Sequence, residues 1–544
     1  MADDEVQAKI IEVWNSMDES WESYGKIFED KAAMNAGKVA VLTEHEQITY
    51  AQLDERANRV GNALEAMGIK KDDKVCVMLP NMPEFLYTWW GNAKLGSVTV
   101  PLNTALRGEG LSYIINHSDA ETIVLSDRFV PVLTEIRETL TQLKRIVVLG
   151  DAGQRATHLP SGAIDFRELL TAPATSPMKE VWSDDVDSIM YTSGTTGLPK
   201  GVVHRHERCY GGFVLPIMTG YTAQDIIYNT LPLFHIGGQN MVWMALVSDT
   251  TVALAERFSA SRFWDDVRKY NATFTLFLGA MIPILIKQPQ RPNDADNPLS
   301  IALSAAAPRT IWEEFEQRFH TKIVELYSQT EGGFMINTDA QEVGKVGSMG
   351  KPGATFEIQV VDENDQALPA DEVGELIYRP KGGGSLTEYY KNPDATAEKT
   401  RGGWIRSGDL AYQDEDGYFF FVDRKSDFMR RRGENISSFE VEKSINRYPK
   451  VLESAAYAVP SELGEDEVMV AVVLQQGAEL DPTELMQYCE ATMAYFMIPR
   501  YVRVVAEFPK TGTERTMKYQ LKDDGVTSDT WDREAAGYTL KRQV

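Results

Sequence analysis

Ile48-Thr-Tyr-Ala-Gln-Leu-Asp-Glu-Arg-Ala-Asn-Arg-Val-Gly-Asn-Ala-Leu-Glu-Ala-Met-Gly68 is followed by four short β-branched runs: Lys74-Val-Cys-Val-Met-Leu79, Ser97-Val-Thr-Val100, Thr122-Ile-Val-Leu125 and Arg145-Ile-Val-Val-Leu149. The first stretch reads as a helix with defined ends. Thr49 and Gln52 are spaced as a capping box, and Leu53, Ala57, Val60, Leu64 and Met67 recur at helical intervals. Gly68 is placed to stop it. Helical segments lie between the β-branched runs, and that alternation predicts an α/β fold of mostly parallel sheets covered by helices.

Later the rhythm changes. Glu357-Ile-Gln-Val-Val-Asp362, Gly374-Glu-Leu-Ile-Tyr378 and Tyr418-Phe-Phe-Phe-Val422 are short strands divided by Gly and Pro turns, which predicts a small β-rich subdomain. Beyond Arg424 the chain becomes α+β, with a helix near Glu440 to Arg447 and strands at Glu453–Val459 and Val468–Leu474. The expected organisation is a large domain over 1–424, a hinge at 425–427 and a small mobile domain over 428–544.

The 544 residues exceed one ordinary domain, and 43% hydrophobic with 25% charged residues is a globular composition. Eighty acidic against 55 basic residues give a net charge of −25, which disfavours nucleic acid and anionic membranes as partners. Cys76, Cys209 and Cys489 form no CxxC pair, so neither a disulfide framework nor a structural zinc is expected. The acidic start MADDEVQAK lacks the apolar core of a secretory signal. The longest apolar stretch, Thr273 to Ile286, contains Gly279 and Pro283 and is too short for a membrane span. It reads as a strand, a Gly turn and a helix start, and a cytoplasmic location is expected.

Tyr191-Thr-Ser-Gly-Thr-Thr-Gly-Leu-Pro-Lys200-Gly201 carries the clearest chemistry. Gly194 and Gly197 permit a tight loop whose N–H groups can face phosphate; Thr192, Ser193, Thr195 and Thr196 add hydroxyls, and Lys200 adds charge. The spacing is not GxxxxGK[ST], so this is not the common P-loop. Most Ser/Thr/Gly stretches are surface turns, but this one follows a strand-like Asp187-Ser-Ile-Met190.

These residues resemble the adenylate-forming (AMP-binding) superfamily of acyl-CoA synthetases, peptide-synthetase adenylation domains and beetle luciferases. Further segments match in order. Leu326-Tyr-Ser-Gln-Thr-Glu331 resembles the family's YGQTE segment, so Tyr327 and Gln329 fall to the ATP site, Thr330 to the α-phosphate and Glu331 to Mg²⁺. A Glu in a helix-end loop is ordinarily just solvated; the context singles Glu331 out. Ser407-Gly-Asp409-Leu410 and Asp423-Arg424 resemble the ribose-binding elements. Arg431-Arg-Gly-Glu-Asn-Ile-Ser437 resembles the loop that enters the site for thioester formation. Arg431-Arg-Gly-Glu-Asn-Ile-Ser437 and the C-terminal run from Pro499-Arg-Tyr-Val-Arg-Val-Val505 to Pro509-Lys-Thr511 resemble most the carnitine/crotonobetaine-type and related steroid-type CoA ligases. The resemblance implies activation of a carboxylic acid by ATP as an acyl-adenylate, then transfer to the thiol of coenzyme A, and it admits a homodimer. Each element also suits the chemistry. Attack on an α-phosphate with loss of pyrophosphate needs positive charge at both fragments, and a carboxylate such as Asp409 accepts two hydrogen bonds from a vicinal diol.

The acyl and adenine sides follow from the same resemblance. His235, in Leu231-Pro-Leu-Phe-His235-Ile236-Gly237-Gly238, would stand near the acyl carboxylate, although a lone His in an apolar run is more often a core residue. Gly279, Ala280, Met281, Ser304 and Trp243 are expected around the acyl group, and Ala305, Ala306 and Pro308 beside adenine. No Asp follows Phe234 to hold an α-amino group, and the small residues leave room, so the expected acid is neither an amino acid nor very short. A bulky or trimethylammonium-bearing acid facing Trp243 is one expectation. Two basic runs, Arg424 to Arg432 and Arg500 to Lys522, each carry a local +4. They are expected to meet phosphates, with Arg430, Arg431, Arg432, Gly433 and Glu434 at coenzyme A.

Two departures stand out. Ser426 occupies the hinge position where Asp or Lys is usual. In Pro509-Lys-Thr-Gly-Thr-Glu-Arg515-Thr-Met-Lys518, Arg515 falls where the family places its adenylation Lys, with Lys518 as helper or substitute. They keep open the alternative of an impaired ATP-binding regulator; within the superfamily, the other alternative is a stand-alone enzyme loading a carrier protein.

Overall fold

Thr49 caps its helix as the spacing requires: its hydroxyl accepts from the Gln52 N–H (3.2 Å), and the Gln52 side chain accepts from the Thr49 N–H (2.9 Å). The helix runs Tyr50–Ala66 and buries Leu53, Ala57, Val60 and Leu64. Ile48 belongs instead to the short strand Gln47–Thr49, which pairs antiparallel with Val39–Leu42. The structure is a computed structural model. It describes residues 21–540, apart from 151–152, 158, 193–197, 208–211, 213, 279–280, 287, 306, 308, 354, 382–385, 425–427, 432–433, 462–463 and 509–517.

Among the described residues two large sheets carry the first part of the chain. One has seven strands in the order Ile164–Asp165, Arg145–Leu149, Thr122–Ser126, Lys74–Met78, Val98–Pro101, Val186–Thr192 and Lys200–Arg205. All its pairings are parallel except the last. The second has nine strands; its parallel heart comprises Lys322–Gln329, Ile301–Ala305, Phe274–Leu278, Ile226–Asn229, Thr251–Leu254 and Val39–Leu42. The fully buried runs Val75–Met78 and Thr122–Ser126 are what strands covered on both faces need.

The β-rich subdomain is a four-stranded antiparallel sheet of Phe356–Val361, Gly374–Pro380, Ile405–Gln413 and Phe419–Arg424. After it come a hairpin, Phe428–Arg431 with Glu434–Ser437, and a second four-stranded sheet built on Val451–Pro460 and Asp466–Leu474. Met429, Ile436, Val441, Val470 and Leu485 form a core of their own there. The Thr273–Ile286 stretch divides into the strand Phe274–Leu278 and the helix Met281–Ile286. Among the described residues no helix is long and apolar enough to cross a membrane.

One expectation fails in the core. Trp243 is buried against Tyr24 (edge to face, ring centroids 4.6 Å) and Trp90 (5.5 Å), beneath the helix Tyr24–Met34. An indole enclosed by other aromatic rings does not face an acyl cation, so Trp243 is a packing residue.

Candidate active site

Thr330 and Glu331 form the tip of an antiparallel hairpin between Lys322–Gln329 and Gly332–Asn337, rather than a helix end. The positive φ of Gly332 and Gly333 (123° and 75°) closes that turn. Just before the tip, the sheet delivers polar groups to one carboxylate. The buried Tyr327 hydroxyl donates to Asp409 Oδ2 at 2.7 Å, and Gln329 Nε2 donates to the same oxygen at 2.6 Å. Tyr378 in turn donates to Gln329 Oε1 (3.3 Å). Burial, then the Asp409 charge, pushes the Tyr327 phenol well above its usual range, so it remains a donor. Asp409 and Arg424 are register partners on neighbouring strands, which brings the two ribose candidates side by side.

The phosphate-loop candidate spans the turn of another antiparallel pair: Thr192 is the register partner of Lys200. Ser193, Gly194, Thr195, Thr196 and Gly197 lie outside the described residues. Below the turn, the Tyr191 hydroxyl and His117 Nδ1 are 2.7 Å apart. The far side of Lys200–Arg205 is covered by Glu388-Tyr389-Tyr390: the Tyr390 N–H donates to Gly201 O (2.8 Å) and Val202 bridges Tyr389. The Lys200 ammonium stands 5.2 Å from the Tyr389 ring centroid, and the Tyr389 hydroxyl donates to Glu331 Oε1 at 2.7 Å. Lys399 Nζ is 3.6 Å from that same oxygen. Lys200 and Glu331, 131 positions apart in sequence by subtraction, thus meet through one phenol.

On the acyl side, His235 is the N-terminal cap residue of the helix Ile236–Val247. The loop before it is tied by a buried residue that no motif indicated: Asn81 Nδ2 donates to Leu231 O (2.8 Å), and its Oδ1 accepts from the Leu233 N–H (2.8 Å). Gly238 and Gly237 do not open space here. A Cβ on Gly238 would fall on Pro232 O and lie 2.7 Å from Pro232 C; one on Gly237 would meet Leu231 at 3.3 Å. Ser304 pairs in register with Phe277, whose ring packs on Phe263 and Phe315. Strand alternation therefore turns the Ser304 side chain to the face of Phe263 and Phe315, correcting its expected acyl contact. Ala305 takes the opposite face. Met281 is core, its sulfur accepting from the Leu278 N–H (3.4 Å). Gly279, Ala280, Ala306 and Pro308 lie outside the described residues.

The small domain sends one carboxylate into this region. Glu434 Oε2 is 3.2 Å from His235 Nε2 and 3.4 Å from Asn103 Nδ2. Its neighbour Arg431 points the other way. Buried to 3% exposure, it pairs with Glu467 (2.9 Å) and donates to Phe496 O (3.2 Å) and Ile498 O (2.9 Å). A guanidinium satisfied inside its own domain is a structural cation, so the expected phosphate contact of Arg431 is corrected. The Arg430 N–H is held by Asp466 (2.9 Å). Lys518 is likewise committed within the small domain, 2.6 Å from Glu442 Oε1 and 2.7 Å from Ser438 Oγ. Arg500 and Arg503 pair with Asp532, Asp524 and Asp529, which neutralises half of the second basic run's expected field. Arg432, Gly433, Ser426 and Arg515 lie outside the described residues.

Against known proteins, residues 28–390 match the family model described as AMP-binding enzyme, and 440–515 the one described as AMP-binding enzyme C-terminal domain. A crotonobetaine/carnitine–CoA ligase of Salmonella agona is 33% identical over 513 residues, covering 91% of this chain and 98% of that protein. Among solved structures, a double mutant of the o-succinylbenzoate CoA synthetase of Bacillus subtilis bound to the product analogue OSB-NCoA aligns with TM-score 0.80 at 24% identity, over 93% of this chain and 99% of that one. That synthetase in complex with AMP aligns with TM-score 0.65 at 25% identity, over 91% and 98%.

Proposed function

The chain belongs to the AMP-binding enzyme family, and from that membership and the site we infer an ATP-dependent, AMP-forming acid–CoA ligase. The observation that carries the reading is the convergence of separate segments at one hairpin: Tyr389 links Lys200 to Glu331, and Tyr327 and Gln329 of the same hairpin hold Asp409, while Glu434 of the small domain meets His235.

In the first half-reaction a carboxylate oxygen bonds to the α-phosphorus and the bond to pyrophosphate breaks, giving acyl-adenylate. Lys200 and the hydroxyls from Thr192 to Thr196 are suited to the β- and γ-phosphates, Thr330 to the α-phosphate, and Asp409 with Arg424 to the ribose diol. Tyr327 and Gln329 both donate to Asp409 Oδ2 and so fix the carboxyl group in place for that task. A single carboxylate at the hairpin tip fits Mg²⁺, which takes most of its ligands from phosphates and water; among the described residues no larger cluster of candidate ligands occurs. When bound there, Mg²⁺ supplies charge neutralisation to the leaving pyrophosphate. Arg515 keeps the positive charge expected at the family's Lys position, in a planar rather than compact form.

In the second half-reaction the CoA sulfur attacks the acyl carbonyl and AMP leaves. Glu434 against His235 supports reading this domain arrangement as the one for thiol transfer. Arg430, Arg432 and Gly433 are the residues we assign to the approach of CoA, and 425–427 to the hinge. A cytoplasmic location follows from the substrates, ATP and CoA, and agrees with the buried free thiols Cys76 and Cys489.

The acid remains to be chosen by experiment. With Trp243 in the core, the argument for a trimethylammonium group is gone, and the named acids of the Salmonella relative lead only by likeness. A panel of carnitine, crotonobetaine, fatty, cyclic and amino acids, assayed for CoA-dependent AMP release, should give AMP with at least one member that is not an amino acid. ADP as the product overturns the reading.

A further inference from the structure

Tyr389 and Tyr390 lie in none of the motifs that marked the site, yet they flank the phosphate-loop candidate and reach in two directions. Tyr390 anchors: its hydroxyl donates to Asp119 Oδ2 (2.8 Å), beside Lys391, which is paired with the same Asp119 at 2.5 Å. Tyr389 points into the site. Its ring lies under the Lys200 ammonium (5.2 Å to the centroid) and its hydroxyl holds Glu331 (2.7 Å), while its backbone is pinned by the bridge to Val202 and by Thr396 Oγ1 accepting its N–H (2.9 Å). The side chain is 5% exposed, so its position is set by packing.

Resting on the ligase reading, we propose that Tyr389 is a positioning residue for ATP activation: the ring seats Lys200 and the hydroxyl orients Glu331, so one side chain sets the spacing between the cation and the carboxylate that meet the triphosphate. The two functions are chemically separable. A cation over an aromatic face is held by the ring quadrupole and does not need the hydroxyl. Orientation of Glu331 needs the hydroxyl, because a charge-assisted hydrogen bond is directional and strong in a buried site. Lys399, at 3.6 Å from the same carboxylate oxygen, gives Glu331 a competing partner once the hydroxyl is lost.

Tyr389→Phe and Tyr389→Leu separate these roles. Binding of a non-hydrolysable ATP analogue is measured by calorimetry across a Mg²⁺ titration, beside adenylation and thioester formation from supplied acyl-adenylate. Tyr389→Phe is expected to raise the Mg²⁺ concentration for half-maximal binding by roughly three- to tenfold, to leave metal-free nucleotide binding unchanged and to spare thioester formation. Tyr389→Leu is expected to weaken metal-free binding as well. A Tyr389→Phe protein with an unaltered Mg²⁺ titration overturns the proposal, and so does an equal loss in both half-reactions, which marks a merely structural side chain. Wild-type protein that binds no nucleotide overturns the ligase reading instead.

Discussion

His206 is fully buried, and its Nδ1 accepts the N–H of Tyr24 (3.2 Å), so the neutral ring carries its proton on Nε2. Burial holds its pKa below the ordinary histidine value against the opposing pull of Asp187 and Asp185, and Lys71 adds to the depression. Because the unfolded chain takes up this proton first, the stability contribution is complete above about pH 6.5 and is lost as pH falls toward the folded value. Wild-type protein should therefore lose stability between pH 7.5 and 5.5, this group contributing at most about 1.4 kcal/mol per pH unit. His206→Gln keeps an acceptor without the titration and should flatten that slope in urea melts; parallel slopes would contradict the assignment. Residues of this kind escape a motif reading because their partners are remote: His206 needs Tyr24, Arg431 needs Glu467, and Trp243 needs Tyr24 and Trp90. Asp409 and Glu331 were identifiable because their neighbours in sequence carry the pattern, as were Tyr327 and Gln329, but the hydrogen bonds of those two to Asp409, and Tyr389 altogether, became apparent only as contacts.

Elements with local instructions were readable from the chain. The capping box of Tyr50–Ala66, the β-branched strands and the change from the strand ending at Leu278 to the helix starting at Met281 all follow from neighbours a few residues away. Elements shaped by close approach were not. Gly237 and Gly238 look like space-makers in sequence, whereas the start of Ile236–Val247 lies so close to Leu231 and Pro232 that a side chain has no room. Gly238→Ala should accordingly cost about 1–3 kcal/mol by overpacking, measured by urea denaturation, and should shift His235 at the head of the helix. A change below about 0.5 kcal/mol would mean that the loop yields freely. The hairpin carrying Thr330 and Glu331 teaches the same lesson: Gly332 and Gly333 determine the turn, and a reading centred on the acidic residue missed it.

At the scale of the molecule, the small domain touches the large one through contacts of unequal weight. The Glu109–Arg447 pair (2.8 Å) is largely exposed on both sides, and such pairs contribute little. Glu434 is mostly shielded and reaches His235 and Asn103, so it is a contact that can favour this arrangement. If one site serves two half-reactions in two arrangements, breaking that contact should impair only one of them.

Exchange of labelled pyrophosphate into ATP without CoA, beside acyl-CoA formation with it, in wild type and Glu434→Ala, is the most direct test. We predict acid-dependent exchange in both proteins, and a loss of thioester formation of at least about tenfold, about 1.4 kcal/mol of barrier, in the variant alone. Exchange that is absent without CoA, or ADP as the nucleotide product, would contradict the account.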